Sequence, residues 1–342
     1  MADRKVVVLI GVVLVAVISG GLFYYYSGGA NSVYVLHAGS LTKPVKRIDE
    51  INDKLDVRNE PHGSVTVSRL VSEGQKHPDV VAVSDYSLIP DFMMSKGRID
   101  WYIQFARNEV VLCYTEDSKY ADEIDQKNWY KILSRPDVKF GFGNPNADPG
   151  GYRAMMTVQL AELYYENSQI FDDLVGTNTA MKAPEEKDGT YKIGAVKLDQ
   201  LNPSEKVSTG AMEVAVIPKL EEGSIDYMFN YRSIAKQHEF KFVELPYKVN
   251  LGKVKYASRY KKVRVKLTGG TVKKGKPIVY GITILKDAKH KEAAVDFLKY
   301  IFSEKGRKVF ENMGQPPIYP PRTNKKSALP EELQDIVVEI EE

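Results

Sequence analysis

The chain has 342 residues, 43% apolar and 27% charged. That composition excludes a disordered or fibrous protein and leaves room for two lobes of roughly 150 residues each. A formal net charge of +3 excludes a chain-wide basic excess, and the single cysteine, Cys113, excludes an intramolecular disulfide.

Val6–Tyr26 carries no charge, follows Arg4 and Lys5, and ends in Tyr24-Tyr25-Tyr26. A bilayer core about 30 Å thick takes about 20 apolar helical residues, so this run is long enough to span, with its tyrosines at the headgroup level. It also fits a cleaved signal, with Val6–Ile18 as the apolar run and Ser19-Gly20-Gly21 as the small-residue site. Both readings stay open, and both send the remaining chain across the membrane, tethered or exported. A buried core helix would need Ser27-Gly28-Gly29 inside the fold, where they read as a linker. With no cysteine after the run, lipid attachment at such a residue is excluded there.

Ser32–His37 alternates as a short strand, and Ala38-Gly39-Ser40-Leu41 is the loop after it. A helix follows through Val45, Ile48, Ile51 and Leu55, with Pro44 in its first turn. A second strand-loop-helix unit turns at Gly63-Ser64 into Val65–Glu73, and Asp79–Val83 is the next apolar run. Phe105–Tyr114 is β-favouring, with Cys113 inside it as a buried small hydrophobe rather than a nucleophile. Val138–Gly143 reads as a buried strand that opens into the loop Gly143–Gly151 and a helix from Tyr152 to about Tyr165. Further on come a helix over Met212–Leu220 stopped by Gly223, a strand over Ile225–Phe229, a strand over Ile278–Leu285 and a helical region over Lys291–Met313. The acidic end, Glu331–Glu342, reads as a solvated terminal helix. Strand and helix alternating at this spacing predict parallel sheets flanked by helices. The chain crosses between lobes near residues 112 and 243, giving a discontinuous first lobe (33–112 and 243–342) and a second of 113–242, after a leader and linker over 1–32.

Lys248–Lys276 holds eleven Lys and Arg and no acid. Within it Val263, Val265 and Leu267 alternate with Arg264 and Lys266, a strand with one solvated basic face. A nucleic-acid surface would need a Gly-aromatic RNA motif or finger spacing, and neither is present.

Enzyme signatures are missing: no Walker A sequence, no dinucleotide fingerprint, no Gly-x-Ser-x-Gly, and five scattered histidines without metal spacing. An enzyme using Asp148 as a general acid would lack a base–nucleophile pair. The chain does carry strand-to-helix junctions with small or hydroxyl residues, where unpaired N–H groups and the helix dipole favour anions. Ser40 sits at the first; Ser64 and Ser68 flank the second. Each also reads as a plain helix cap, as does Asp148 before Pro149. Glu213 also reads as a first-turn acid, and Tyr231 as a packed loop-end aromatic.

Ala38–Leu41, Asn144–Arg153 and Gly223–Ser233 resemble the corresponding segments of the archaeal molybdate/tungstate-binding proteins of ABC importers, and Phe105–Leu112 and the Phe297–Gly314 region match as well. The resemblance spans Val33–Arg322. It implies an α/β, two-lobed fold of the periplasmic-binding (type II) kind, with each lobe a mostly parallel sheet flanked by helices and the ligand in the cleft between lobes. It also implies a non-catalytic, extracytoplasmic protein that takes molybdate or tungstate to a membrane permease, with no cofactor and no nucleic acid, as a monomer. Carried over residue by residue, Ser40 and Ser68 bind oxyanion oxygens, Asp148 and Glu213 give carboxylate oxygens to the molybdenum or tungsten, and Tyr231 donates a hydrogen bond. A binder of sulfate or phosphate is the alternative, in which Asp148 and Glu213 are only cap and dipole residues.

Overall fold

The computed structural model describes residues 31–210 and 215–340. The leader, Glu213 and the last two residues lie outside that range. In chain order the strands begin with β1 (Ser32–Ala38), β2 (Asp56–His62), β3 (Val80–Val83), β4 (Ile103–Asn108) and β5 (Val110–Tyr114). They continue with β6 (Phe140–Gly143), β7 (Tyr191–Gly194), β8 (Val207–Gly210), β9 (Tyr227–Tyr231) and β10 (Lys241–Val243). The remainder are β11 (Val263–Lys266), β12 (Val272–Lys274), β13 (Ile278–Ile284), β14 (Pro317–Thr323) and β15 (Val338–Glu339).

The chain forms two compact units. The first holds residues up to Gln104, Gly281–Val309 and from Pro320 onward; the second holds Phe105–Tyr280 and Phe310–Tyr319. The predicted β-run Phe105–Tyr114 is broken at Glu109 into β4 and β5, which join different sheets.

A seven-stranded sheet in the order β15-β14-β4-β13-β3-β1-β2 organises the first unit. Towards one edge β1 pairs in parallel with β2, the edge strand, on one side and β3 on the other. The helices Thr42–Ile51 and Ser64–Ser72 make the crossovers that parallel neighbours require. Covered on both faces, β1 buries Val33, Val35 and Leu36 completely. On its far side β3 pairs antiparallel with β13, so the sheet is mixed.

The predicted helical stretch Lys291–Met313 is two helices, Lys291–Phe302 and Glu304–Asn312. Ser303 separates them: its backbone is extended, its hydroxyl donates to the Tyr300 carbonyl at 2.6 Å, and its Oγ accepts from Gly306 N–H at 3.2 Å as a cap of the second helix. The acidic end departs further from expectation. Its helix stops at Glu331–Gln334, and Val338–Glu339 pairs in parallel with Arg322–Thr323 as an edge strand. Buried Leu333 and Val337 pin this end to the unit, which repulsion among exposed acids cannot undo.

The second unit is built on the sheet β10-β5-β9-β6-β8. β6 runs parallel to β8 and β9, whereas β5 runs antiparallel to β9 and β10. Cys113 lies between Phe242 and Met228 in this register, fully buried, and burial pushes its thiol up, away from reactivity. The helix Pro149–Tyr165 buries all but a few of its residues, as a central helix must. Trp129, Phe140, Phe142 and Phe229 pack into the same core, Trp129 meeting Phe229 edge-on at 5.7 Å. A small sheet, β12-β11-β7, completes the unit. In it Val263 and Val265 are fully buried, Arg264 is half-buried and Lys266 exposed, as the alternation predicts.

The described part of the chain over Met212–Leu220 is the short helix Ile217–Glu221. The strand expected over Ile225–Phe229 runs two residues later, over Tyr227–Tyr231.

Candidate functional site

Because β1, β2 and β3 are parallel, their C-terminal ends lie along one edge of the first sheet, the edge at which open α/β sheets take ligands. Ser40 stands there, half-exposed, in the single 3-10 turn Gly39–Leu41 that joins β1 to its helix. Ser64 begins the next helix, and its Oγ sits 2.8 Å from Ser84 Oγ while accepting from Ser84 N–H at 3.0 Å. Ser68 is fully buried one turn further on, its hydroxyl donating to the Ser64 carbonyl at 2.9 Å. Ser84 and the Asp85–Ser87 turn behind β3 complete a half-exposed, hydroxyl-rich edge. The signal for this third junction is in the sequence: Val80–Val83 followed by Ser84-Asp85 repeats the strand-then-hydroxyl pattern of the first two.

Beside this edge Glu60 accepts from Tyr34 OH at 2.5 Å, from His62 Nε2 at 2.7 Å and from Lys76 Nζ at 3.1 Å. Burial works to raise its carboxyl, but those hydrogen bonds outweigh it and hold the group at about 2. A carboxyl held below its unfolded value contributes stability that is full above about pH 5 and is lost as the pH falls towards 2. The urea midpoints of the wild type and of Glu60→Gln are therefore expected to differ at pH 7 and to converge in acid; a gap independent of pH would show that the hydrogen bonds, not the charge, matter.

In the second unit β6 delivers the chain into the loop Asn144–Asp148 and the long helix. Asn144 folds the loop on itself: its carbonyl accepts from Ala147 and Asp148 N–H, and its side chain from Asn146 N–H at 3.0 Å. Asn146 ties the loop outward, donating to the Val196 carbonyl at 2.7 Å. Asp148 caps the helix, Oδ1 accepting from Gly150 N–H at 2.8 Å, with only 2% of the residue exposed. The fit is so close that a Cβ on Gly143 would lie 1.8 Å from Asp148 Oδ2, and one on Gly151 would lie 2.1 Å from the Gly143 carbonyl oxygen. Gly151→Ala meets backbone, which cannot swing aside; it is expected to cost about 1–3 kcal/mol, read as a lowered unfolding midpoint of the second unit. An unchanged midpoint would mean the loop is softer than its packing implies.

Tyr231 ends β9 against this loop-helix junction. Arg153, one turn into the helix and 6% exposed, donates Nη1 to the Tyr231 phenol oxygen at 2.7 Å. Burial pushes that phenol well above its ordinary value; Arg153 pulls the other way, and Tyr152 and Asp148 add to the rise. Tyr231 is thus neutral, and because a guanidinium can only donate, its own O–H is left to serve an acceptor. Arg153 lies within the segment that carries the family resemblance, but nothing local to it in the sequence signals its burial against Tyr231, 78 positions away. Gly210, the last described residue before Glu213, pairs with Gly143, and its carbonyl accepts from Asn144 N–H at 2.9 Å.

The structure thus brings Asp148 and Tyr231 together in the second unit, with Arg153, and sets Ser40 and Ser68 on neighbouring junctions of the first. Among the described residues no cluster of His, Cys, Asp and Glu is arranged to hold a metal ion.

This α/β fold, in two compact units with sheets flanked by helices, is that of periplasmic binding proteins. It is similar to the substrate-binding domain of a putative molybdenum ABC transporter from Clostridium difficile, with a TM-score of 0.55 at 16% identity over 84% of this chain and 99% of that one. The chain belongs to the bacterial extracellular solute-binding protein family, whose model matches residues 33–315. It is 39% identical to an uncharacterized solute-binding protein of Methanococcus maripaludis over 97% of both chains. It is 40% identical to the molybdate/tungstate-binding protein WtpA of Pyrococcus abyssi over 89% of both. Among the described residues no helix is long and apolar enough to cross a membrane.

Proposed function

We propose that this protein captures molybdate or tungstate outside the cytoplasmic membrane and delivers it to the permease of an ABC importer, held there or exported by its apolar N-terminal segment. The observation that carries this reading is the junction of a capping carboxylate, a guanidinium and a neutral phenol at one helix end, Asp148, Arg153 and Tyr231. The 40% identity to a relative named for these two ions supports it. In this reading Ser40 supplies hydroxyl and N–H donors to the oxyanion, Ser68 turns its hydroxyl from the Ser64 carbonyl to the oxyanion, and Tyr231 supplies its O–H.

Asp148 and Glu213 give carboxylate oxygens to the molybdenum or tungsten itself. Two unit charges 4 Å apart at an effective dielectric of about 20 interact by about 4 kcal/mol, so carboxylates that merely faced a dianion would repel it. Bound directly to a hard, high-valent metal, raising it from four towards six oxygens, they attract instead. Sulfur does not readily expand its shell in this way, so the same pair works against sulfate.

Calorimetric titration of molybdate, tungstate and sulfate into the wild type, Asp148→Ala and Glu213→Ala decides the matter. Tight molybdate and tungstate binding, weak sulfate binding and loss of both metal oxyanions in the variants are expected. Variants that keep the wild-type tungstate affinity would overturn direct ligation, and a wild type that prefers sulfate would overturn the choice of ligand.

A further inference from the structure

We propose that the β11–β12 hairpin is the collecting rim of the oxyanion site, with Lys273 the cation that draws the dianion to the helix end carrying Asp148 and Arg153; this rests on the oxyanion reading above. The hairpin belongs to the stretch Lys248–Lys276, with eleven basic residues and no acid, which the capture of an anion by Asp148, Glu213 and Tyr231 alone leaves without a purpose.

Three observations place it at the site. At its tip Thr268 donates both N–H and hydroxyl to Asn146 Oδ1, at 2.9 and 3.1 Å, so the hairpin is fastened to the loop that carries Asp148. The turn itself is fixed: Leu267 N–H donates to the Thr271 carbonyl and Gly270 N–H to the Leu267 carbonyl, with Gly270 at φ +86°, a conformation that favours glycine. That turn sets the register Val265↔Lys273. Directly opposed residues share a face of the sheet, and Val265 faces the core beneath the long helix. Lys273 is therefore on the helix side, half-buried, its Nζ 6.0 Å from the centre of the Tyr152 ring, the residue next to Arg153. On the outer face, Arg264 is held by Asp188 at 3.1 Å, while Lys266 and Lys274 are exposed.

A cation so placed raises the local concentration of a dianion at the mouth of the site, an effect that reaches about one Debye length and is screened by salt. The test compares Lys273→Glu with Lys127→Glu, which changes the net charge identically. Lys127 is exposed next to Gln126, whose carbonyl accepts from Tyr165 OH at the far end of the helix. That helix of 17 residues is about 25 Å long, more than two Debye lengths at 0.1 M salt.

Tungstate affinity measured by calorimetry is expected to fall on the order of tenfold in Lys273→Glu at 0.1 M salt. Lys273→Gln should fall by less and Lys127→Glu hardly at all, with the differences collapsing at 1 M salt. Equal affinities for the two charge reversals at 0.1 M would overturn the inference, as would a Lys273→Glu deficit that persists unchanged at 1 M. A wild type that binds neither tungstate nor molybdate would instead overturn the oxyanion reading, and this inference with it.

Discussion

Arg232→Ala is expected to destabilise the second unit by about 3–5 kcal/mol. Arg232 Nη1 reaches Glu109 Oε1 at 2.9 Å, and the Glu109 side chain is only 2% exposed. Around that carboxylate the satisfaction is thorough: Asn250 Nδ2 donates to its other oxygen at 3.1 Å, and Arg232 N–H donates to its backbone carbonyl. Asn108, the neighbouring residue, donates to Ser233 Oγ at 2.8 Å and to Tyr280 OH at 3.1 Å. Removing the guanidinium leaves a buried charge in a shell built for a pair, whereas a fully exposed bridge such as Lys308–Glu304 contributes little. The two tryptophans, Trp101 and Trp129, fall one in each unit. In a Trp101→Phe background, Trp129 fluorescence during urea unfolding therefore reports the second unit alone. Adding Glu109→Gln to Arg232→Ala should recover part of the loss, because a neutral amide does not carry the desolvation cost of a lone carboxylate. A loss below about 1 kcal/mol would mean that water reaches Glu109 freely.

Asp148→Asn is expected to separate the two jobs assigned to that residue. Asparagine caps a helix about as well as aspartate, so unfolding of the second unit should shift by well under 1 kcal/mol, while Asp148→Ala forfeits the cap and costs about 1 kcal/mol. Tungstate affinity should fall by on the order of 100-fold or more in both, because even residues that only support a metal's ligands are typically worth 10–100-fold. The paired measurement, calorimetric affinity beside the urea midpoint, has a clear failure: an asparagine variant within a few-fold of wild type would leave Asp148 as a cap and nothing more.

Much of the fold could be read from the chain because its signals are local. The Ser32–His37 alternation, the Pro44 helix start, the buried Cys113 and the one-sided Val263–Leu267 strand each depend on residues a few positions apart. The misses share a cause as well. Nothing in the periodicity from Lys291 to Met313 reveals that Ser303 will turn its hydroxyl back onto Tyr300 and restart the helix. Nor do the acids of the C-terminal segment show that Val338 will find Arg322 as a strand partner. At the site, the resemblance points to Asp148 and Tyr231 but not to what surrounds them. The pairing of Arg153 with Tyr231 spans 78 positions and that of Arg232 with Glu109 spans 123, so their burial depends on how the sheet is threaded.

That threading also governs the order in which the molecule can assemble. β3 is complete by Val83, yet the neighbour on its open side, β13, begins only at Ile278. Nearly all of the second unit is synthesised in between. The first sheet therefore waits, half-built and with an unpaired strand edge, until the last quarter of the chain arrives. Such long-range closure is slow, and an exposed edge invites the wrong partner. Under the proposed export across the membrane, the same delay has a use: the first unit cannot lock while its closing strand is still on the other side.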